Sequence, residues 1–226
     1  MSQKPSHTST YRRGQLEYAL WKVFSGNTSA EVPHAFALRI KKLIDLDRSQ
    51  EPSQGMSRAF SGVTGANQGR DAEYTAFDAF CLAVGVDFTD IGFKQSEALF
   101  ILRYLRRGLE AEYERLMEYP FIMADVAATQ SFPKLPSMNL EGKKRADQSV
   151  HLTFHVRDPQ LHGHRGLDTS IQVLNPVICL GFDALAEYLR DNLLGERKAV
   201  VIELAQSAHL VTQHLAAAPV IKRGRK

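Results

Sequence analysis

The sequence YTAFDAFCLAVGVDFTDIGFKQSE, from Tyr74 to Glu97, is the most informative stretch of the chain. Thr75 ahead of Asp78 is a polar start signal that is typical of a helix N-terminus. Apolar residues then recur at helical spacing: Phe77, Phe80, Cys81 and Val84. This pattern predicts a helix with one apolar face.

The second half of the stretch predicts two breaks and a new helix. Gly85 and the polar residues after it are expected to end the first helix. Gly92 and Phe93 interrupt the chain again, and the polar run 94–97 is expected to open a second, longer helix. Two helices joined by a short connection form an αα-hairpin, whose apolar seam must pack on further elements.

One family shares this order of residues. Tyr-Thr-x-x-Asp, then a helix, then Gly-Phe-x-x-x-Glu resembles the second half of the MerR-type winged-helix DNA-binding domain. The matching positions are Tyr74, Asp78, Gly92, Phe93 and Glu97. The resemblance covers residues 11 to 118. It implies a winged helix whose second helix enters the major groove of DNA, and helices beyond Glu97 that pair two subunits.

The fold class predicted for the whole chain is α+β, with a mostly helical winged-helix domain followed by a small α/β domain. Composition sets the boundaries, because polar tails and a Pro-rich segment that contains Lys143-Lys144-Arg145 flank the apolar regions. The predicted parts are a disordered tail (1–10), the winged-helix domain (11–126), a linker (127–149), the α/β domain (150–219) and a basic tail (220–226).

The first domain is expected to begin with two helices and a β-hairpin wing. Residues 11–24 and 34–48 each carry an apolar stripe at helical spacing. Two short strand-like segments, 58–63 and 70–74, flank the Gly-Ala-Asn-Gln-Gly turn and predict the wing. A loop without strands is the alternative for that Gly-rich segment.

Charge is distributed unevenly along this domain. Residues 1–70 carry ten Lys and Arg against five Asp and Glu, whereas residues 71–119 carry five against ten. A basic first part suits a polyanion partner. Arg can read guanine through two hydrogen bonds, and Lys neutralises phosphate. The candidate DNA contacts are Arg12, Arg13, Arg39, Lys41, Lys42, Arg48, Arg58 and Arg70. The sequence departs from the family in helix two, where Ile40-Lys41-Lys42 replaces the usual aromatic pair.

The helix after Glu97 carries a long apolar stripe, which exceeds the expected needs of one small core. Its members are Leu99, Leu102, Leu105, Leu109, Tyr113 and Leu116. A homodimer is therefore expected, although Gly108 interrupts the coiled-coil pattern.

The C-terminal part predicts a ββαβα module. Residues 150–157 alternate between apolar and polar side chains, as in a half-buried strand, and Pro176 in the second strand implies an edge or a bulge. His151, His155, His162 and His164 are close in sequence and suit a metal such as zinc. No Cys or carboxylate pair completes a convincing set, so no metal site is assigned and the role of these histidines stays open.

These observations favour a cytoplasmic, dimeric, sequence-specific transcription regulator that binds double-stranded DNA. No membrane-spanning run, secretory signal, phosphate-binding loop or hydrolase motif occurs, and Cys81 and Cys179 are expected to be buried thiols. We therefore expect no catalysis and no cofactor, while a small-molecule or protein effector stays open. The alternatives are a protein-interaction factor, and an enzyme or metal-binding module in the C-terminal domain.

Overall fold

The computed structural model describes residues 9–26, 31–53, 55–60, 72–118, 149–157, 172–192 and 198–219. In chain order, its elements are β1 (Tyr11–Arg12), α1 (Arg13–Phe24), α2 (His34–Ser49), β2 (Glu73–Tyr74), α3 (Ala76–Ile91), α4 (Gln95–Glu118), β3 (Val150–Arg157), β4 (Gln172–Leu180), α5 (Gly181–Asn192), β5 (Ala199–Glu203) and α6 (Ala205–Ala216). The mixture of helices and small antiparallel sheets confirms the α+β class. Among the described helices, none combines the length and apolarity that crossing a membrane requires.

The chain divides into two compact units. One contains Met1–Ala111 together with Leu210–Lys226, and the other contains Glu112–His209. The division therefore falls inside α4 and inside α6. Apart from Ser149, the predicted linker lies outside the described residues. The two predicted tails lie almost wholly outside the described residues.

Helix α3 begins at the predicted polar start signal, and it ends at Gly92. The Thr75 hydroxyl accepts a hydrogen bond from the Asp78 backbone N–H at 3.0 Å, and the Asp78 carboxylate accepts one from the Thr75 N–H at 2.9 Å. At the other end, Gly92 has φ +111°, and the Phe93 N–H donates to the Phe88 carbonyl at 3.1 Å. The left-handed conformation favours glycine and closes the helix, while the Phe88 and Phe93 rings pack edge to face.

The expected break at Gly85 is wrong, because α3 continues through this residue to Ile91. A Cβ atom placed on Gly85 would lie 3.0 Å from Cδ1 of Leu102 and 3.8 Å from Cδ1 of Leu43. Gly85 therefore marks a close approach of α3 to its neighbours, and packing, rather than helix termination, explains the glycine.

The leucine-rich stripe of α4 is buried within the monomer, from Leu99 to Leu116. All six side chains are already buried in the single chain, so they do not form the exposed surface that the expected homodimer would need. Helix α4 also continues through Gly108 without interruption.

Strands β1 and β2 form a two-stranded antiparallel sheet in which Tyr11 pairs with Tyr74 and Arg12 pairs with Glu73. This sheet joins the start of α1 to the two residues that precede Thr75, the N-cap of α3. Helices α1 and α2 meet through rings, with Trp21 and Phe36 centroids 5.3 Å apart. The chain thus leaves α2 at Gln50 and lies beside the beginning of the domain again at Glu73 and Tyr74.

The second unit contains a three-stranded antiparallel sheet with the order β4-β3-β5. The predicted ββαβα order is confirmed. Pro176 lies in an edge strand and, as predicted, at a bulge, because Asn175 and Pro176 together oppose Phe154. The expected half-buried character of β3 is wrong: residues 150–155 are all buried, on both faces of the central strand.

Candidate nucleic-acid interface

One side of α2 is open to solvent, opposite its buried residues. Ile40, Leu43, Ile44 and Asp47 are buried. The open side, called the α2 stripe below, consists of His34, Leu38, Lys41, Lys42, Asp45 and Arg48. These residues recur at three- and four-residue intervals and so share one face. Three of them are cationic at neutral pH and one is acidic, which makes the stripe basic.

Arg39 occupies a different position from the two lysines. It was expected on the solvent side of α2, but its side chain is only 27% exposed and lies against α3. The guanidinium donates to the Val86 carbonyl at 2.9 Å, to the Thr89 hydroxyl at 2.9 Å and to the Asp90 carboxylate at 2.6 Å. Arg39 therefore anchors α2 on the last turns of α3.

Arg48 joins the C-terminal end of α2 to strand β2. Its guanidinium donates a hydrogen bond to the Tyr74 hydroxyl and lies over the Tyr74 ring, 5.6 Å from the centroid. Burial raises the pKa of Tyr74, and the neighbouring Arg48 charge partly opposes that rise. The backbone carbonyl of Arg48 also accepts a hydrogen bond, from the Arg58 guanidinium.

Asp47 is a fully buried acceptor at the end of α2. Its carboxylate accepts from the backbone N–H groups of Ala59 and Phe60, at 3.1 and 2.9 Å, and from Nε of Arg103 at 2.8 Å. These bonds bring α2, α4 and residues 58–60 together. They also explain why 58–60 is irregular and not the predicted first strand of a wing: its N–H groups bind a carboxylate instead of a neighbouring strand.

Two arginines also satisfy the carbonyl groups at the C-terminal end of α2. Arg103 donates to the carbonyls of Asp47 and Gln50 at 2.9 and 2.6 Å. Arg58 donates to the carbonyls of Asp47 and Arg48 at 2.6 and 2.8 Å, and pairs with Glu51 at 2.9 Å. Helix ends leave such carbonyls without partners inside the helix, so cationic donors stabilise them.

A second buried carboxylate, Asp78, faces Arg106 at 3.5 Å. Arg106 also donates to the Ala59 carbonyl, and its guanidinium lies 4.9 Å from the Phe77 ring centroid. Burial raises the pKa of Asp78, whereas bonds from Thr75 and the charge of Arg106 oppose the rise. Residue 59 is thus held both by Asp47 and by Arg106.

The remaining candidate contacts lie near the start of α1 or outside the described residues. Arg12 is exposed, and its backbone N–H donates to the Gln15 side chain at 3.0 Å. Arg13 forms an ion pair with Glu17 at 3.0 Å, one turn along α1. Arg70, together with most of the predicted wing, lies outside the described residues.

Sequence reasoning missed the roles of Arg103 and Arg106. A signal was present: each follows a buried leucine by four residues, Leu99 and Leu102 respectively, so both fall on the inward side of α4. An arginine on an apolar helix face requires a buried acidic partner. Asp47, beside Leu43 and Ile44 on α2, was a candidate for that partner.

His151 and His155 of β3 are buried in the second unit. His155 donates from Nδ1 to the Lys198 carbonyl at 3.2 Å and stacks on Tyr188 of α5, with centroids 5.4 Å apart. His151 lies against Phe182, 5.0 Å between centroids. His162 and His164 lie outside the described residues, and within the described ranges no group of three or more metal-ligating side chains converges.

No family model matches the sequence, and a comparison with curated proteins also finds no match.

Proposed function

We propose that this protein is a dimeric, sequence-specific regulator that binds double-stranded DNA through α2. In this proposal α2 enters the major groove, as the resemblance to the MerR-type winged helix implies, and no bond is made or broken in the DNA. Such a protein acts in the compartment that contains DNA, here the cytoplasm.

The observation that carries the proposal is the α2 stripe on a helix that is otherwise firmly held. Lys41 and Lys42 are exposed beside each other, while the opposite side of α2 is buried. Arg39 ties the middle of α2 to α3, and Asp47 ties its end to α4 through Arg103. A rigid helix that presents cations is suited to a groove lined with phosphates, because little backbone freedom is lost on binding.

The arrangement of the elements also supports the proposal. Two helices are followed by a segment that returns to pair with strand β1, and then by the α3–α4 hairpin. This order agrees with the one that the resemblance implies. Residues 58–60, the start of the stretch that was predicted to form the wing, are held beside the end of α2 without forming a strand.

The proposal divides the candidate contacts into two groups. Lys41 and Lys42 would contact DNA directly, and Arg12 would add a phosphate contact from the start of α1. Arg39, Arg48 and Arg58 hold α2 through protein contacts, and reading a base would require each to leave those partners. Their main contribution is therefore the position of α2.

A mobility-shift experiment with a random-sequence duplex pool tests the proposal. Wild-type protein should shift the pool and enrich a preferred sequence, and Lys41→Ala with Lys42→Ala should weaken binding about tenfold or more, because two phosphate or base contacts are lost. Lys94→Ala with Lys198→Ala removes the same charge from two exposed lysines outside the α2 stripe and should change binding little. Equal losses in both double variants would show that only net charge matters. A folded wild type that shifts no duplex would favour the protein-interaction alternative.

A further inference from the structure

Two large aromatic side chains project into solvent from α4. Phe100 is 56% exposed and Tyr104 is 63% exposed, although the opposite side of the same helix is buried. They are four residues apart and so lie one above the other on the helix, about 6 Å apart along its axis. Protein interfaces are enriched in Tyr and Phe relative to the rest of the surface, so two neighbouring exposed aromatic side chains indicate a contact surface.

The same face continues with smaller residues towards the C-terminal end. The helical period places Arg107 and Ala111 within about 20° of the direction of Phe100, and Gly108 about 40° from Tyr104. All three are exposed. The α4 outer face, defined as Phe100, Tyr104, Arg107, Gly108 and Ala111, is therefore bulky in its first half and flat in its second half.

Exposed charges on α4 are arranged in a self-complementary way. The exposed cation Arg107 is followed by three exposed acids: Glu110, Glu114 and Glu118. Acidic side chains in the last turns of a helix are unfavourable with respect to the helix dipole. A second α4 running in the opposite direction would bring Arg107 close to Glu110 and a helix N-terminus towards the acids of the last turns, which would make the arrangement more favourable.

We propose that the α4 outer face binds the same face of a second copy of this chain, with the two helices antiparallel and crossing near Gly108. In this register Tyr104 of one copy lies over Ala111 of the other, and Arg107 lies beside Glu110 of the second copy, twice by symmetry. The bulky half of each face fills the flat half of the other. Gly108 and Ala111 at the crossing permit the short interaxial distances of closely packed helices, about 8–10 Å.

This inference rests on the proposed function and assigns a surface to the dimer named there. The α4 outer face takes the place of the leucine-rich stripe as the dimer contact, because the stripe is buried within one chain. Its test uses no DNA, so a failure of the dimer surface and a failure of DNA binding are distinguishable.

Sedimentation equilibrium over the micromolar range tests the surface. Wild-type protein should be a dimer, and Tyr104→Glu should raise the dimer dissociation constant at least roughly tenfold, because a charge would be buried against Ala111. Tyr104 is exposed, so the variant should keep the wild-type circular dichroism spectrum. Phe182→Glu places the same charge at an aromatic residue of α5 that is 61% exposed, and should leave the dimer intact.

A charge exchange provides the second readout. Arg107→Glu alone should weaken the dimer, and Arg107→Glu with Glu110→Arg should restore it, since both symmetric ion pairs are re-formed with reversed sign. A monomeric wild type at tens of micromolar, a Tyr104→Glu variant that stays dimeric, or a charge exchange that fails to rescue Arg107→Glu would overturn the inference.

Discussion

Asp47→Ala should be among the most destabilising single substitutions in this protein. Asp47 is fully buried, and its carboxylate is the acceptor for two backbone N–H groups and for Arg103, whose side chain is only 7% exposed. Removing it leaves the Arg103 cation without a buried counter-charge and the N–H groups of Ala59 and Phe60 without an acceptor.

The structure supports an estimate of the loss. Breaking a buried ion pair by deleting one partner costs about 3–5 kcal/mol. Arg103 keeps its bonds to the carbonyls of residue 47 and Gln50, which reduces that cost, whereas the two N–H groups left without an acceptor add to it. Arg103→Met should lower the free energy of unfolding by less than Asp47→Ala does, because Asp47 would still accept hydrogen bonds from two N–H groups. The double variant should be less destabilised than the sum of the two singles, by about 1–3 kcal/mol.

Urea denaturation of the wild type, the two single variants and the double variant measures these free energies of unfolding. The values are compared only if the free energy falls with urea concentration at the same slope in all four proteins. Asp45→Ala is the matched control, because Asp45 is exposed on the same helix and its loss should change stability by less than about 0.5 kcal/mol. An Asp47→Ala variant no less stable than Asp45→Ala would refute the view that this carboxylate holds α2, α4 and residues 58–60 together.

Three further substitutions test individual contacts by the same denaturation method. Burial raises the pKa of Asp87 to about 6 from an ordinary 3.8, so the folded state binds this proton more tightly than the unfolded state. The contribution of protonated Asp87 to the free energy of unfolding is fully present below pH 3.8 and is lost as pH rises through 6. Asp87→Asn should therefore stabilise the protein at pH 8, by up to about 2–3 kcal/mol, and have little effect near pH 4; equal effects at both pH values would contradict the burial argument. Gly92→Ala should cost about 1 kcal/mol, because φ is +111° there, and a neutral result would count against a strained C-cap. Gly85→Val should cost about 1–3 kcal/mol through the clash with Leu102, and a variant as stable as wild type would show that the helices separate easily.

The elements with strong local signals were predictable from the sequence. The start of α3 depends on Thr75 and Asp78, whose groups act within a few residues, and it was assigned correctly. Gly92 was correctly expected to interrupt the chain, although the end of the helix itself was expected at Gly85. Pro176 likewise identified an edge strand and a bulge, because proline cannot donate to a sheet ladder. Such signals need no knowledge of distant parts of the chain.

The errors concern residues whose role depends on distant partners. Gly85 looks like a helix breaker locally, but the close approach of Leu102 explains it. Arg39 is polar and was assigned to solvent, yet Val86 and Asp90 bind it from a helix about 50 residues away. Periodicity also could not show that His151 and His155 face the aromatic residues of α5 instead of water.

The salt dependence of duplex binding tests the central proposal most directly. If Lys41 and Lys42 each neutralise a phosphate, the logarithm of affinity should fall steeply with the logarithm of salt concentration, and replacing both by alanine should make that slope shallower by about 2. Lys94→Ala with Lys198→Ala should leave the slope unchanged. Wild-type affinity that is independent of salt, or a slope that the Lys41 and Lys42 variant shares with the wild type, would contradict the assignment of α2 as the DNA-binding helix.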